Sequence, residues 1–80
     1  MSAHPDYVQV GSSAVVRFED GTVETYTVVP AAEANPRAGL VSAESPIGRA
    51  LLGCRLGEAV VIPVPGRSFT VTIESVVRSS

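Results

Sequence analysis

Ser42-Ala43-Glu44-Ser45-Pro46-Ile47-Gly48-Arg49-Ala50-Leu51-Leu52-Gly53 is the one segment of this chain that reads as a helix with both a start and a stop. Ser45 stands where a hydroxyl accepts a bond from a free backbone N–H of the first turn. Pro46 then occupies the first helical position, where its missing N–H costs nothing and its fixed φ suits the helix. Gly53 falls where the chain must turn left-handed to leave. Ile47, Ala50 and Leu51 share one face, Leu52 widens it, and Arg49 lies outside it. A helix of about eight residues, about 12 Å long, does not persist alone in water. It needs a surface to pack on, and the rest of the chain reads as a sheet.

Outward from the helix the signals are those of hairpins. Tyr7 to Val10 reads as a short extended entry, turned by Gly11-Ser12-Ser13. Ala14 to Glu19 and Thr22 to Val29 read as strands joined at Asp20-Gly21, a strong two-residue turn signal. That turn predicts Phe18 opposite Val23 and Arg17 opposite Glu24, the second a cross-strand ion pair. Pro30 closes the strand, and 31–39 is a loop broken by Pro36 and Gly39. Leu40-Val41-Ser42 reads as a brief strand before the helix. Ala59 to Val64 and Ser68 to Val77 form a second hairpin, with Phe69, Val71 and Ile73 alternating against Ser68, Thr70, Thr72 and Glu74. Pairing Val64 with Arg67 sets Ile62 beside Phe69 and Val60 beside Val71. A Pro65-Gly66 type II turn suits so tight a hairpin poorly, which favours a longer loop here. Pro63 cannot donate to a ladder and places its strand at a sheet edge. The expected architecture is α+β: an antiparallel sheet of about four main strands with one short helix packed on it. The expected core is Phe18, Leu51, Val60, Ile62, Phe69, Val71 and Ile73.

Eighty residues make one domain, here read as a flexible lead-in over 1–7 and a folded unit over 8–80. A chain of this size buries only about 60% of its unfolded surface. It is 45% hydrophobic and 18% charged, a globular composition. A net charge of -2 argues against general nucleic-acid binding. The single cysteine, Cys54, excludes an intramolecular disulfide and suits a reducing cytoplasm. No apolar run is long enough to span a membrane.

The residues assemble no catalytic or metal constellation. His4 is the only histidine and has no second ligand near it in sequence. Cys54 follows the end of the helix and so lacks the field that lowers a thiol pKa. Glu19, Asp20 and Glu24 are explained by turn chemistry and solvation. Gly48 and Gly53 do not make a phosphate loop, because the flanking glycines and lysine are missing. No cofactor is implied. The Ser42–Pro46 corner is different, since it gathers backbone N–H groups, two hydroxyls, a carboxylate and a rigid ring on one scaffolded loop, as recognition loops do.

With these residues in order, the chain resembles the C-terminal domain of the bacterial transcript-cleavage factors GreA and GreB. The likeness runs through Val10-Gly11-Ser12, Tyr26-Thr27-Val28-Val29, Glu33-Ala34, the whole block Val41 to Gly53, Gly57-Glu58, Val60 and Pro65-Gly66. The resemblance implies an FKBP-like fold. It also implies docking on RNA polymerase at the rim of the secondary channel, against the coiled-coil tip of the largest subunit. In that family the loop matching Ser42, Ala43, Glu44, Ser45, Pro46 and Ile47 makes much of the contact. The catalytic reach of the family lies in an N-terminal coiled coil with an acidic tip, and the match here begins after it. The resemblance therefore implies a non-enzymatic binding module. From the charge and the lack of a long apolar run no direct nucleic-acid or membrane contact is expected, and a monomer is the expected state. Cys54 departs from the family, which often has lysine there. Two other readings stand beside it: a peptidyl-prolyl isomerase, by fold analogy alone, and a polymerase-independent adaptor.

Overall fold

In the computed structural model, which describes residues 7–78, five strands form one sheet. They are β1 (Ser12–Phe18), β2 (Val23–Val29), β3 (Leu40–Ser42), β4 (Ala59–Val64) and β5 (Arg67–Arg78), ordered β3-β2-β1-β5-β4. One helix, α1 (Pro46–Leu51), packs against β4 and beside β3. It is about two residues shorter than the caps suggested, because the chain already leaves the helical conformation at Leu52. The sheet is mixed rather than four antiparallel strands. β3 joins it fully, parallel to β2, with Thr27 opposite Leu40 and Val29 opposite Ser42. The crossover between them is short, two 3-10 turns at Ala31–Glu33 and Pro36–Ala38.

The first hairpin differs from expectation by one residue. Arg17 pairs with Val23 and Val16 with Glu24, so Glu19-Asp20-Gly21 is a three-residue loop. The Phe18 N–H donates to Thr22 O, and the Gly21 N–H donates to Phe18 O. A two-residue type I′ turn would push Asp20 to positive φ as well, and here only the glycines adopt it. Asp20 instead accepts the Thr22 N–H at 2.9 Å, which holds its carboxyl below the usual carboxylate range.

The shift sends Arg17 and Glu24 to opposite faces, and Arg17 pairs across the other ladder with Glu74, at 3.1 Å. The hydrogen bond and the positive charge of Arg17 lower the Glu74 carboxyl below its ordinary value. A depressed carboxylate adds stability above the usual carboxylate range and loses it as pH falls through the lowered value. Glu74→Gln is therefore expected to unfold slightly earlier in urea at neutral pH. The gap should close in acid and shrink with added salt, because both groups are solvent-exposed. A gap that persists unchanged in acid would show that the carboxylate charge is not its cause.

Glu74 is also where β5 changes faces. Val15 pairs with Ser75 but Val16 pairs with Ile73, leaving Glu74 as a bulge. Ile73 points inward opposite buried Val16, and beyond the bulge Val76 turns to the core opposite buried Ala14. Val77, which uninterrupted alternation would bury, is 56% exposed.

The second hairpin keeps its expected register, Val60 with Val71 and Ile62 with Phe69. Its connection is tight, not long: Val64 pairs with Arg67 directly across Pro65-Gly66. Proline's fixed φ and Gly66 at φ 84° are the combination a type II turn needs, and this local preference wins over the mismatch of twist. β4 is an edge strand, as Pro63 required.

Leu51, Val60, Ile62, Val71 and Ile73 are buried, joined by Val8, Ala14, Val16, Val28 and Val41. Phe18 and Phe69 are not in that buried set. They sit half-buried near the two tight turns, edge to face at 5.8 Å, with the Arg67 guanidinium 4.6 Å over Phe69. Both lie where the sheet ends and Glu19, Asp20 and Arg67 stand around them. The entry segment is tied in: Tyr7 bridges Arg55, and Val8 exchanges backbone bonds with Gly53 and Cys54 at the end of α1. The rest of the lead-in, with His4, lies outside the described residues.

Candidate docking site

The corner between β3 and α1 is built from its two serines. Ser45 caps the helix: its Oγ accepts the Gly48 N–H at 3.1 Å and donates to Ser42 O at 2.7 Å. The Ser42 Oγ accepts the Glu44 N–H at 3.0 Å. Ser45 N–H also donates to Ser42 O, and Ala43 N–H donates to Val29 O in β2. The N–H groups of Ala43, Glu44, Ser45 and Gly48 are thus satisfied internally, so the corner does not offer them to a partner. Hydrogen bonding here is spent on shape.

The corner therefore divides by exposure. Ser42, Ala43, Ser45 and Ile47 are half-buried, and Ala43 and Ile47 rest against the core. Glu44 and Pro46 are exposed. Gly48, which carries no function in the sequence reading, proves decisive for the geometry. It is buried on the corner side of α1, and a Cβ there would overlap the Ser42 carbonyl oxygen and stand 2.9 Å from its carbon. Only glycine lets the helix close on that carbonyl without a shift. The signal was available in the sequence: a glycine inside a six-residue helix opposes helix propensity and asks for a packing reason.

The remaining candidates do not converge on a site. Cys54 Sγ donates to Ala50 O at 3.1 Å, and burial followed by the nearby Glu58 charge raises its pKa, the opposite of an activated thiol. Glu19 and Asp20 line a shallow cleft of about 200 Å³ with Phe18, Arg67, Phe69 and Thr70. Glu24 lies one strand away on β2. The two aromatic rings in that cleft meet edge to face rather than forming walls around a prolyl ring, so the isomerase reading gains no support. Among the described residues no group of histidine, cysteine and acidic side chains could hold a metal ion, and no helix is long and apolar enough to cross a membrane.

Sheet order, capped corner and short helix together define a domain class. The family described as "Transcription elongation factor, GreA/GreB, C-term" matches residues 3–78, and the chain belongs to this family. Its relatives make this particular. Transcription elongation factor GreA of Chloroflexus aurantiacus is 55% identical over 67 residues, which cover 82% of this chain and 43% of that protein. Among solved structures, the GreA factor homolog 1 (Gfh1) protein of Thermus thermophilus superimposes with a TM-score of 0.81 at 25% identity, covering 95% of this chain and 51% of the other. The GreA/GreB factor from Nitrosomonas europaea gives 0.80 at 27% identity, covering 95% and 64%. The chain thus spans less than half the length of the GreA relative and about half that of Gfh1.

Proposed function

We propose that this domain is the RNA polymerase-binding module of a GreA/GreB-type elongation factor. It docks at the rim of the secondary channel, on the coiled-coil tip of the largest subunit, through the corner Ser42, Ala43, Glu44, Ser45, Pro46 and Ile47. The observation that carries this reading is a family match over residues 3–78 that includes a corner held rigid by its own serines. A loop whose shape is fixed before binding loses little entropy on docking. The sheet-and-helix arrangement belongs, on this reading, to the FKBP-like class, with residues 8–80 as the folded unit after a lead-in over 1–7. The domain works as a monomer in the cytoplasm and contributes binding rather than chemistry. These residues alone are expected to cleave no transcript.

One such corner buries well under the roughly 800 Å² per partner of a standard interface, so its affinity is expected to be modest. The test is a fluorescence titration of the labelled domain with bacterial core RNA polymerase, beside the double variant Pro46→Ala, Glu44→Arg. Saturable binding by the parent and at least about tenfold weaker binding by the folded variant are expected, as for loss of an apolar contact and reversal of a charge. Equal binding by both would overturn the assignment of the corner. No binding by the parent at high concentration would overturn the function.

A further inference from the structure

The corner's two hydroxyls are both bonded to its own backbone, so its recognition chemistry has to come from what stays exposed. Glu44 and Pro46 do, and a third exposed residue, Arg49, follows on α1. Residues three apart on a helix are neighbours on one face, with Cβ atoms about 5–6 Å apart, so Arg49 stands beside Pro46. The apolar face of the same helix is turned the other way, with Leu51 fully buried and Ile47 and Ala50 against the core. Among the described residues the one ion pair is Arg17 with Glu74, and none of their carboxylates pairs with Arg49.

Resting on the docking reading above, we propose that Arg49 is a specificity-determining residue of that site. The surface the corner presents is a proline ring flanked by a carboxylate on the loop side and a guanidinium on the helix side. Its complement is a protein surface with an apolar spot for Pro46, a basic group facing Glu44, and an acidic group facing Arg49. Ser42 and Ser45 are then positioning residues. They set the spacing of these three groups and need not touch the partner. A purely local role for Arg49, a cation near the helix C-terminus, would affect stability slightly and binding not at all.

The experiment compares core RNA polymerase binding by the parent, Arg49→Gln, Arg49→Glu and Arg67→Glu. The last makes the same charge change beside Phe69, near the hairpin turn between β4 and β5. All four proteins are first shown to melt alike. Arg49→Glu is expected to bind at least about tenfold more weakly, with Arg49→Gln between, and the difference should narrow as salt rises. Arg67→Glu should stay within about twofold of the parent, because only a general charge effect would reach it. Parent-like binding by Arg49→Glu would overturn this inference and leave the docking function standing. Equal weakening by Arg67→Glu would also overturn it, and failure of the parent to bind would remove the docking reading with it.

Discussion

Leu51→Ala is expected to cost about 2–5 kcal/mol of folding stability, a large share of what holds a small domain together. Leu51 ends α1, is fully buried, and belongs to the cluster that includes Val60, Ile62, Val71 and Ile73. Truncation loses its transfer free energy and leaves a cavity, since a sheet on one side and a six-residue helix on the other have little freedom to collapse inward. The helix has no independent stability to absorb the loss. Urea unfolding followed by circular dichroism should show a lower midpoint with an unchanged slope. Leu52→Ala, a half-buried neighbour beyond the helix end, serves as the comparison and should cost visibly less. If the two substitutions cost the same, Leu51 is not the anchor of the helix.

Gly48→Val is expected to destabilise the domain by about 1–3 kcal/mol or more, the usual range for forcing extra atoms into a closed contact. In a domain of this size each kcal/mol lowers the melting temperature by about 4–8 °C. The sign is the informative part. Valine has the better helix propensity by a few tenths of a kcal/mol, so an isolated helix would gain from the exchange. A loss therefore reports the contact with the Ser42 carbonyl, not the helix. With Cβ branched and χ1 stiff, valine cannot swing aside, and α1 must lift from the corner. The Gly48 N–H then moves away from the Ser45 Oγ that it meets at 3.1 Å. Amide exchange should accelerate at residue 48 and at Glu44 before the sheet is affected, and polymerase binding should fall in the folded fraction. Unchanged melting with unchanged exchange would mean that the approach of α1 to Ser42 is loose.

The start of the helix and the corner before it were legible in the sequence because they depend on neighbours within four residues. Ser45, Pro46 and Gly53 act through their own φ, hydroxyl or missing N–H, and these properties travel with the residue. The register of the second hairpin was legible for a related reason, since the alternation of Phe69, Val71 and Ile73 admits one buried face. Where two local rules competed, the sequence did not say which would win. Asp20-Gly21 could form a two-residue or a three-residue loop, and only the finished ladder, with Arg17 beside Glu74, distinguishes them. The bulge at Glu74 leaves no mark in composition, yet it exchanges the buried set of β5 from Ile73 to Val76. Phe18 and Phe69 looked like core because they are large and apolar, but burial depends on whether another element covers the end of the sheet.

The same division holds at the proposed site. By itself the sequence determined that a capped helix follows a serine-rich loop, and so where on the chain recognition is to be sought. Only the tertiary structure decided which atoms there are available. The N–H groups that appear open in a linear reading are closed by Ser42, Ser45 and Val29, and the helix seats on a carbonyl through Gly48. The physical reason is that hydrogen-bond capacity is a property of a residue, whereas its occupancy is a property of whatever the fold brings within 3 Å.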